Sequence, residues 1–227
     1  MGVVYLVRHG QARATAYGAG ALSPEMGGLT ELGRAQAECT GSALAGRIGS
    51  LDWAESGDLV RQRQTLDLIL PAAGDGLSAA GHSHWDEYDM DAILGRDGRA
   101  VSMSGQDLQR DVDDALAEWV AGGAPAAGGE TYAQYRDRCA AALASVLPRA
   151  GRGQTVVVAS SSGTITQVLA GLWGLDGPSW IRLSRTMINA SITKLIVGRQ
   201  GASVISVNEH GHLEKTTADG RSMMTFR

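Results

Sequence analysis

Val3-Val4-Tyr5-Leu6-Val7-Arg8-His9-Gly10-Gln11 is the stretch on which the fold turns. Its first five residues form an unbroken apolar run, which reads as a strand buried on both faces. The run ends in a cation, an imidazole and a glycine. In open α/β sheets, ligands bind outside the C-terminal ends of the strands. Arg8 offers a planar fork for paired anionic oxygens. His9 offers a neutral nitrogen able to attack phosphorus or to hold a metal. Gly10 lets the backbone come close to whatever is bound. Taken alone, the stretch also fits a structural Arg–His pair at a strand end.

Outward from this strand the chain alternates between helical and strand patterns. Thr30 is a good N-cap for an amphipathic segment running to about Ile48. Leu51–Ser56 reads as a weak second strand, and Arg61–Leu70 as a helix that Pro71 stops. Residues 72–100 are rich in Gly and Ala and show no periodicity. Ser104 is expected to cap a helix with Leu108, Val112, Ala115, Leu116, Trp119 and Val120 on one face, ended by Gly122-Gly123. Thr131 opens a helix whose inner face carries Tyr132, Tyr135, Cys139, Leu143 and Val146. Thr155–Ala159 is apolar throughout and should be a central strand, followed by a short turn and a helix through Trp173. Ser191–Val197 and Ser203–Val207, parted by Gly198 and Gly201, read as a hairpin at the sheet edge. This alternation predicts an α/β fold, a three-layer α/β/α sandwich with a mostly parallel central sheet. One domain spans 1–227, with about 86–128 as an inserted helical cap.

Composition narrows the function classes. The chain has 227 residues, 44% of them hydrophobic, enough for a sizeable core. A net charge of −4 with no basic cluster argues against nucleic acid. Cys39 and Cys139 lack the spacing of a metal site or a disulfide framework. They read as buried thiols in a reducing compartment. No leader-like apolar run opens the chain and no stretch reaches membrane-spanning length, so a cytoplasmic protein is expected. None of the five histidines has metal-ligand spacing with other ligands, so neither metal nor cofactor is expected.

Further stretches follow in order: Leu29-Thr30-Glu31-Leu32-Gly33-Arg34-Ala35-Gln36-Ala37, then Leu59-Val60-Arg61-Gln62-Arg63-Gln64-Thr65, then Trp85-Asp86-Glu87-Tyr88-Asp89, then Gly129-Glu130-Thr131. Together with the first strand, this set resembles the histidine phosphatase superfamily, which includes the cofactor-dependent phosphoglycerate mutases. The resemblance runs from residue 3 to about 213. It implies a covalent mechanism in which a histidine takes up a phosphoryl group and passes it to water or to a second substrate. By position, His9 is the implied nucleophile, Arg8 and Arg61 the phosphate-binding arginines, and Glu87 the general acid. Gln11, Ser161 and Ser162 complete the implied phosphate-binding set. The chemistry asks for these types: phosphoryl oxygens need positive charge around them, and a leaving alkoxide needs a proton. Asp86, Asp89 and Asp91 flank Glu87, and crowded like charges favour an acid that keeps its proton. Arg63, two residues beyond Arg61, should face elsewhere.

The chain departs from the family pattern after the central strand. Where the family places a second histidine, this sequence has Ala159-Ser160-Ser161-Ser162-Gly163, which puts Ser161 at that position. A hydroxyl donates a hydrogen bond but brings no charge. The backbone N–H groups of Ser162, Gly163 and Thr164 should open a helix N-terminus toward the anion. Restoring a histidine at 161 is expected to raise turnover by about 10- to 100-fold. A branch of the superfamily carries a small-residue turn here, and Trp85–Asp89 and Asn189-Ala190-Ser191-Ile192-Thr193 resemble that branch as well. His82 and His84 read as loop residues, with a place in the pocket as the alternative. His210 and His212 read as structural.

The expected function is hydrolysis of a small phosphorylated metabolite through phosphohistidine. Two other classes stay open: a non-catalytic phosphate-ligand binder, and a repurposed pocket using His9 and Glu87 as base and acid in another reaction. The expected partner is a small phosphorylated metabolite, with neither nucleic acid nor membrane, and a homodimer is the assembly considered.

Overall fold

The computed structural model describes residues 1–74, 76–95, 105–125 and 128–226. These residues form six strands: β1 (Gly2–Arg8), β2 (Trp53–Ser56), β3 (Ala80–Gly81), β4 (Thr155–Ser160), β5 (Ile192–Gly198) and β6 (Gly201–Glu209). The helices are α1 (Glu31–Ala45), α2 (Val60–Ala73), α3 (Met90–Leu94), α4 (Gly105–Val120), α5 (Tyr132–Val146), α6 (Ser162–Trp173) and α7 (Gly177–Ser184). The sheet runs β3-β2-β4-β1-β5-β6. Strands β1 to β4 are mutually parallel, and β5 and β6 join as an antiparallel hairpin beside β1.

Both central strands are buried on two faces, which is why they are apolar throughout. Tyr5, Val7, Val157 and Ala159 pack with Leu44 of α1 and with Leu66 and Ile69 of α2. Val4, Leu6, Val156 and Val158 pack on the other side with Tyr135, Ile165, Leu169 and Trp180 from α5, α6 and α7. The architecture is thus the expected three-layer sandwich. Each fully buried side chain of this kind stabilises the fold by about 1.5–3 kcal/mol.

The helix starts follow the sequence. Thr30 accepts a hydrogen bond from the Gly33 N–H at 3.0 Å, and Thr131 with Gln134 forms a capping box at α5. Helix α1 ends at Ala45, short of Ile48. Pro71 does not stop α2, which continues to Ala73. A proline in the last turn forfeits one backbone bond, and the Gly74 N–H closes that turn on the Leu70 carbonyl at 2.8 Å. The stretch from 72 onward hid β3 and α3, both too short to show a period. Leu116 and Trp119 of α4 are buried against the α5–α7 layer, as expected. Ser104, its expected cap, and the Leu108 side chain lie outside what is described. Cys139 is buried, whereas Cys39 is only partly so, with its thiol 3.1 Å from the His212 carbonyl. Among the described residues no helix is long and apolar enough to cross a membrane.

Candidate active site

The site forms where β1 and β4 end side by side. Their parallel register pairs Arg8 with Ser160, so His9 and Ser161 leave neighbouring strand tips. The His9 N–H continues the ladder to the Ser160 carbonyl at 2.8 Å. Alternation carries both side chains toward the α2 face, the side of Val7 and Ala159. There the first turn of α2 meets them with consecutive residues. Arg61 Nε donates to His9 Nε2 at 3.3 Å, and Gln62 Nε2 donates to Ser161 Oγ at 2.9 Å. All four side chains are buried, His9 being 2% exposed and Arg61 3%.

The partners of His9 define its tautomer. Nδ1 lies 2.8 Å from the Gly10 carbonyl, which can only accept, so Nδ1 carries the proton. The lone pair is on Nε2, facing the Arg61 guanidinium. Such a neutral imidazole is the nucleophilic form. The His9 carbonyl is held from behind by the Ala190 N–H and by Asn189 Nδ2, both at 3.2 Å. Ala190 adopts a left-handed φ of 59° to make this bond. Gly10 is required by close approach: a Cβ there would lie 2.3 Å from the Gly33 carbonyl oxygen.

Strand alternation places Arg8 on the face opposite Val7, and its Nη1 donates to the Met187 carbonyl. Arg61 Nη1 donates to the Ala16 carbonyl at 2.6 Å, and its guanidinium stacks 4.8 Å from the Tyr17 ring centroid. The segment around Ala16 and Tyr17 therefore closes over Arg61. Arg63 points away and pairs with Asp58 at 2.6 Å. Gln11 sits at the start of α1: its N–H donates to Gln36 Oε1 at 2.8 Å and its Oε1 accepts from the Thr30 hydroxyl at 2.9 Å. Ser162 is the first residue of α6, half-buried, with its carbonyl accepting from Thr166.

Glu87 reaches the β4 tip from the side of α5 and the first turn of α6. Its Oε2 accepts from the Gly163 N–H at 2.8 Å and its Oε1 from the Tyr135 hydroxyl at 3.1 Å. The Gly163 N–H is thus taken by a carboxylate of the chain itself, and does not open toward an incoming anion as the sequence suggested. A Cβ at Gly163 would sit 2.4 Å from Glu87 Oε1, so this close approach needs glycine. Burial, then the Glu87 charge, holds the Tyr135 hydroxyl well above the ordinary phenol range, which keeps it a donor. The neighbouring acids are committed elsewhere. Asp86 accepts from the Asp58 N–H at 2.6 Å, and burial raises its carboxyl above the usual range. Asp89 caps α3 through the Asp91 and Ala92 N–H groups.

Trp85 links the two sides. Its carbonyl accepts from Ser160 Oγ at 2.6 Å and from Gln62 Nε2 at 3.0 Å. Its indole N–H donates to the buried Glu55 at 2.5 Å. The His82 and His84 rings pack 4.4 Å from each other, and burial, His82 and Arg138 together lower the His84 imidazole. His212 Nε2 lies 3.0 Å from the Thr40 hydroxyl, a structural place behind α1. A cavity of about 320 Å³ adjoins Glu87, lined also by Asp86, Tyr88, Trp119, Glu130 and Arg138. Gln62, Tyr135 and Asn189 were not among the expected site residues, Tyr135 being expected only as an inner-face residue of its helix. The only signals were that Gln62 directly follows Arg61 and that Asn189 opens a stretch resembling one branch of the family.

The sequence matches the model of the histidine phosphatase superfamily (branch 1) over residues 4–210. The chain belongs to that superfamily. Solved structures share the fold. A phosphoserine phosphatase mutant from Entamoeba histolytica in complex with phosphoserine aligns with TM-score 0.70 at 17% identity, covering 94% of this chain and 100% of that one. The mycobacterial glucosyl-3-phosphoglycerate phosphatase in complex with VO3 aligns at 0.67 with 24% identity, covering 92% and 100%. A putative alpha-ribazole-5'-P phosphatase from Escherichia coli aligns at 0.65 with 17% identity, covering 92% and 98%. None of the curated proteins matches the sequence.

Proposed function

We propose that the protein hydrolyses a small phosphomonoester through a phosphohistidine at His9. The observation that carries this reading is the His9 tautomer: Nδ1 is tied to the Gly10 carbonyl and the Nε2 lone pair faces a guanidinium at the strand tips. In the proposed reaction Nε2 attacks phosphorus while the bond to the ester oxygen breaks. Arg61, beside His9 Nε2, balances charge on the non-bridging oxygens, and Arg8, at the same strand tip, adds positive charge from the opposite face. Glu87, a carboxylate in the resting site, takes a proton with the incoming phosphomonoester monoanion, gives it to the departing alkoxide, then takes a proton from the water that attacks phosphohistidine and returns it to the leaving phosphate. Inorganic phosphate leaves, and both residues return to their starting states.

Several relatives of this fold are named for phosphomonoesters of small polar metabolites, and this class is the substrate proposed here. The described parts of the segment expected to form a cap, 86–95 and 105–125, would face the leaving group. Retention of Glu87 beside the β4 tip favours turnover over simple anion binding, which has no use for a proton donor.

The test is hydrolysis of p-nitrophenyl phosphate by the natural protein and by His9→Ala, with intact mass read after denaturation at alkaline pH, where phosphohistidine persists. We expect a phosphorylated species in the natural protein only, and a loss of about 1,000-fold or more in kcat for the variant. Unchanged turnover in His9→Ala ends this mechanism.

A further inference from the structure

Ser161 stands where the family carries an imidazole, and its surroundings are more constrained than those of a surface hydroxyl. Ser161 is 1% exposed and Gln62 is fully buried. The Gln62 amide has its orientation settled by three partners. Oε1 accepts from the Leu59 N–H at 3.3 Å, and Nε2 donates to the Trp85 carbonyl at 3.0 Å and to Ser161 Oγ at 2.9 Å. Turning the amide over would set oxygen against the Trp85 carbonyl and NH2 against the Leu59 N–H, two contacts between like groups. Nε2 therefore faces Ser161, and Ser161 Oγ must accept.

A hydroxyl has a single proton. That of Ser161 is not spent on Gln62, and among the described residues it has no other hydrogen-bond partner. A buried donor left unmatched is costly, so the arrangement points to an acceptor from outside the chain. The register sets Ser161 beside His9, whose Nε2 bears the lone pair. An oxygen of a phosphoryl group under attack by Nε2 would lie between the two tips.

We propose that Gln62 is a positioning residue that presets the Ser161 hydroxyl as a hydrogen-bond donor to the transferring phosphoryl group. This deepens the phosphatase reading and rests on it. Gln62 does not touch the substrate. It occupies one lone pair of Ser161 and covers the Trp85 carbonyl. Without the amide, nothing occupies a lone pair of Ser161 Oγ or holds its proton toward the site. The transition state then loses a donor aimed where charge develops.

The test is a double-mutant cycle on p-nitrophenyl phosphate with Gln62→Met, which keeps side-chain length, and Ser161→Ala. Thermal melts report folding of each variant. We expect each single change to lower kcat about 10-fold or more, and the double variant to match the weaker single within about twofold. Effects that multiply would overturn the proposal, since Gln62 would then act through packing. A second arm uses Gln62→Glu. An ionised carboxylate only accepts, so it captures the Ser161 proton; once protonated it can donate again. The activity of this variant relative to the natural protein should rise as pH falls from 8 to 5, and a flat ratio overturns the proposal even if Gln62→Met does not fold. Failure of the phosphatase reading has a different signature: natural protein that neither turns over the ester nor binds vanadate, which removes this proposal with it.

Discussion

The two strand tips differ in kind. At β1, His9 meets a guanidinium, and its carbonyl is fixed by Ala190 and Asn189. At β4, Ser161 meets a neutral amide, and beyond it a carboxylate sits on the first turn of α6. One tip therefore gathers positive charge and a nucleophile. The other gathers neutral donors and an acid. In the proposed reaction this divides the labour: charge on the phosphoryl oxygens is balanced from the β1 side, and protons move on the β4 side. The β1 tip is completed by Arg61 of α2 and by Asn189 and Ala190, which lead into β5, the strand paired with β1. The β4 tip depends on Gln62, Trp85 and Glu87, none of them on β4 itself.

The sharpest way to break this comparison is to remove the acid while leaving its bonds. Glu87→Gln keeps an oxygen for the Gly163 N–H or the Tyr135 hydroxyl but has no proton to give. General acid catalysis contributes typically about 100- to 10,000-fold. We expect kcat/KM, which reports formation of phosphohistidine, to fall by at least about 100-fold on an alkyl phosphate and far less on p-nitrophenyl phosphate, because nitrophenolate leaves without a proton. An equal loss of kcat/KM on both esters would mean that Glu87 acts on the phosphoryl group and not on the leaving group, and the division between tips would fail.

The parts that sequence made legible are those fixed by local physics. Val3–Val7 and Thr155–Ala159 are apolar at every position because both faces are covered, and two such strands flanked by helices define the sandwich. Thr30 and Thr131 announced their helices because a hydroxyl at the N-cap answers an orphan N–H. Pro71 misled because its penalty depends on where in the helix it stands. β3 has two residues and exists through pairing with β2, so no period could reveal it. The β4 tip was hidden for another reason. The Gln62–Ser161 bond joins residues 99 apart in sequence, and the Gly163–Glu87 bond joins residues 76 apart. Such pairings are made by the topology, and a single sequence carries no record of them.

A middle-sized effect sharpens the contrast through space. From sequence alone, Ser161→His should raise turnover. Gln62 now fills the ground that an imidazole would need: Ser161 is buried and its Oγ is 2.9 Å from the amide. Overpacking a filled site costs about 1–3 kcal/mol. We therefore expect Ser161→His alone to lower the thermal midpoint and bring no gain in kcat on p-nitrophenyl phosphate. The pair Ser161→His with Gln62→Ala should recover stability and raise kcat by about 10-fold relative to Gln62→Ala alone, the effect of a restored donor in an adapted pocket. A gain from Ser161→His by itself would show that the β4 tip is looser than its hydrogen bonds indicate.

The smallest effect concerns what stands behind the β1 tip. His212 Nε2 lies 3.2 Å from the Ala190 carbonyl and 3.0 Å from the Thr40 hydroxyl, and Ala190 in turn holds the His9 carbonyl. Burial, the largest influence, lowers the His212 imidazole below its ordinary value. The sign follows. In the unfolded chain the ring takes up a proton near its ordinary value of about 6.5, while in the fold it stays neutral until lower pH. Between the two values the unfolded state binds more protons, so stability is lost as pH falls through that window. One proton sets a slope no steeper than about 1.4 kcal/mol per pH unit. The stability advantage of the natural protein over His212→Gln in urea unfolding should therefore shrink as pH drops from 7.5 to 5.5. Turnover of p-nitrophenyl phosphate at pH 7.5 should change less than about twofold, because the Ala190 N–H still reaches the His9 carbonyl when His212 is replaced. A large loss of turnover would mean that the β1 tip is held through His212, and that its support is as distributed as that of the β4 tip.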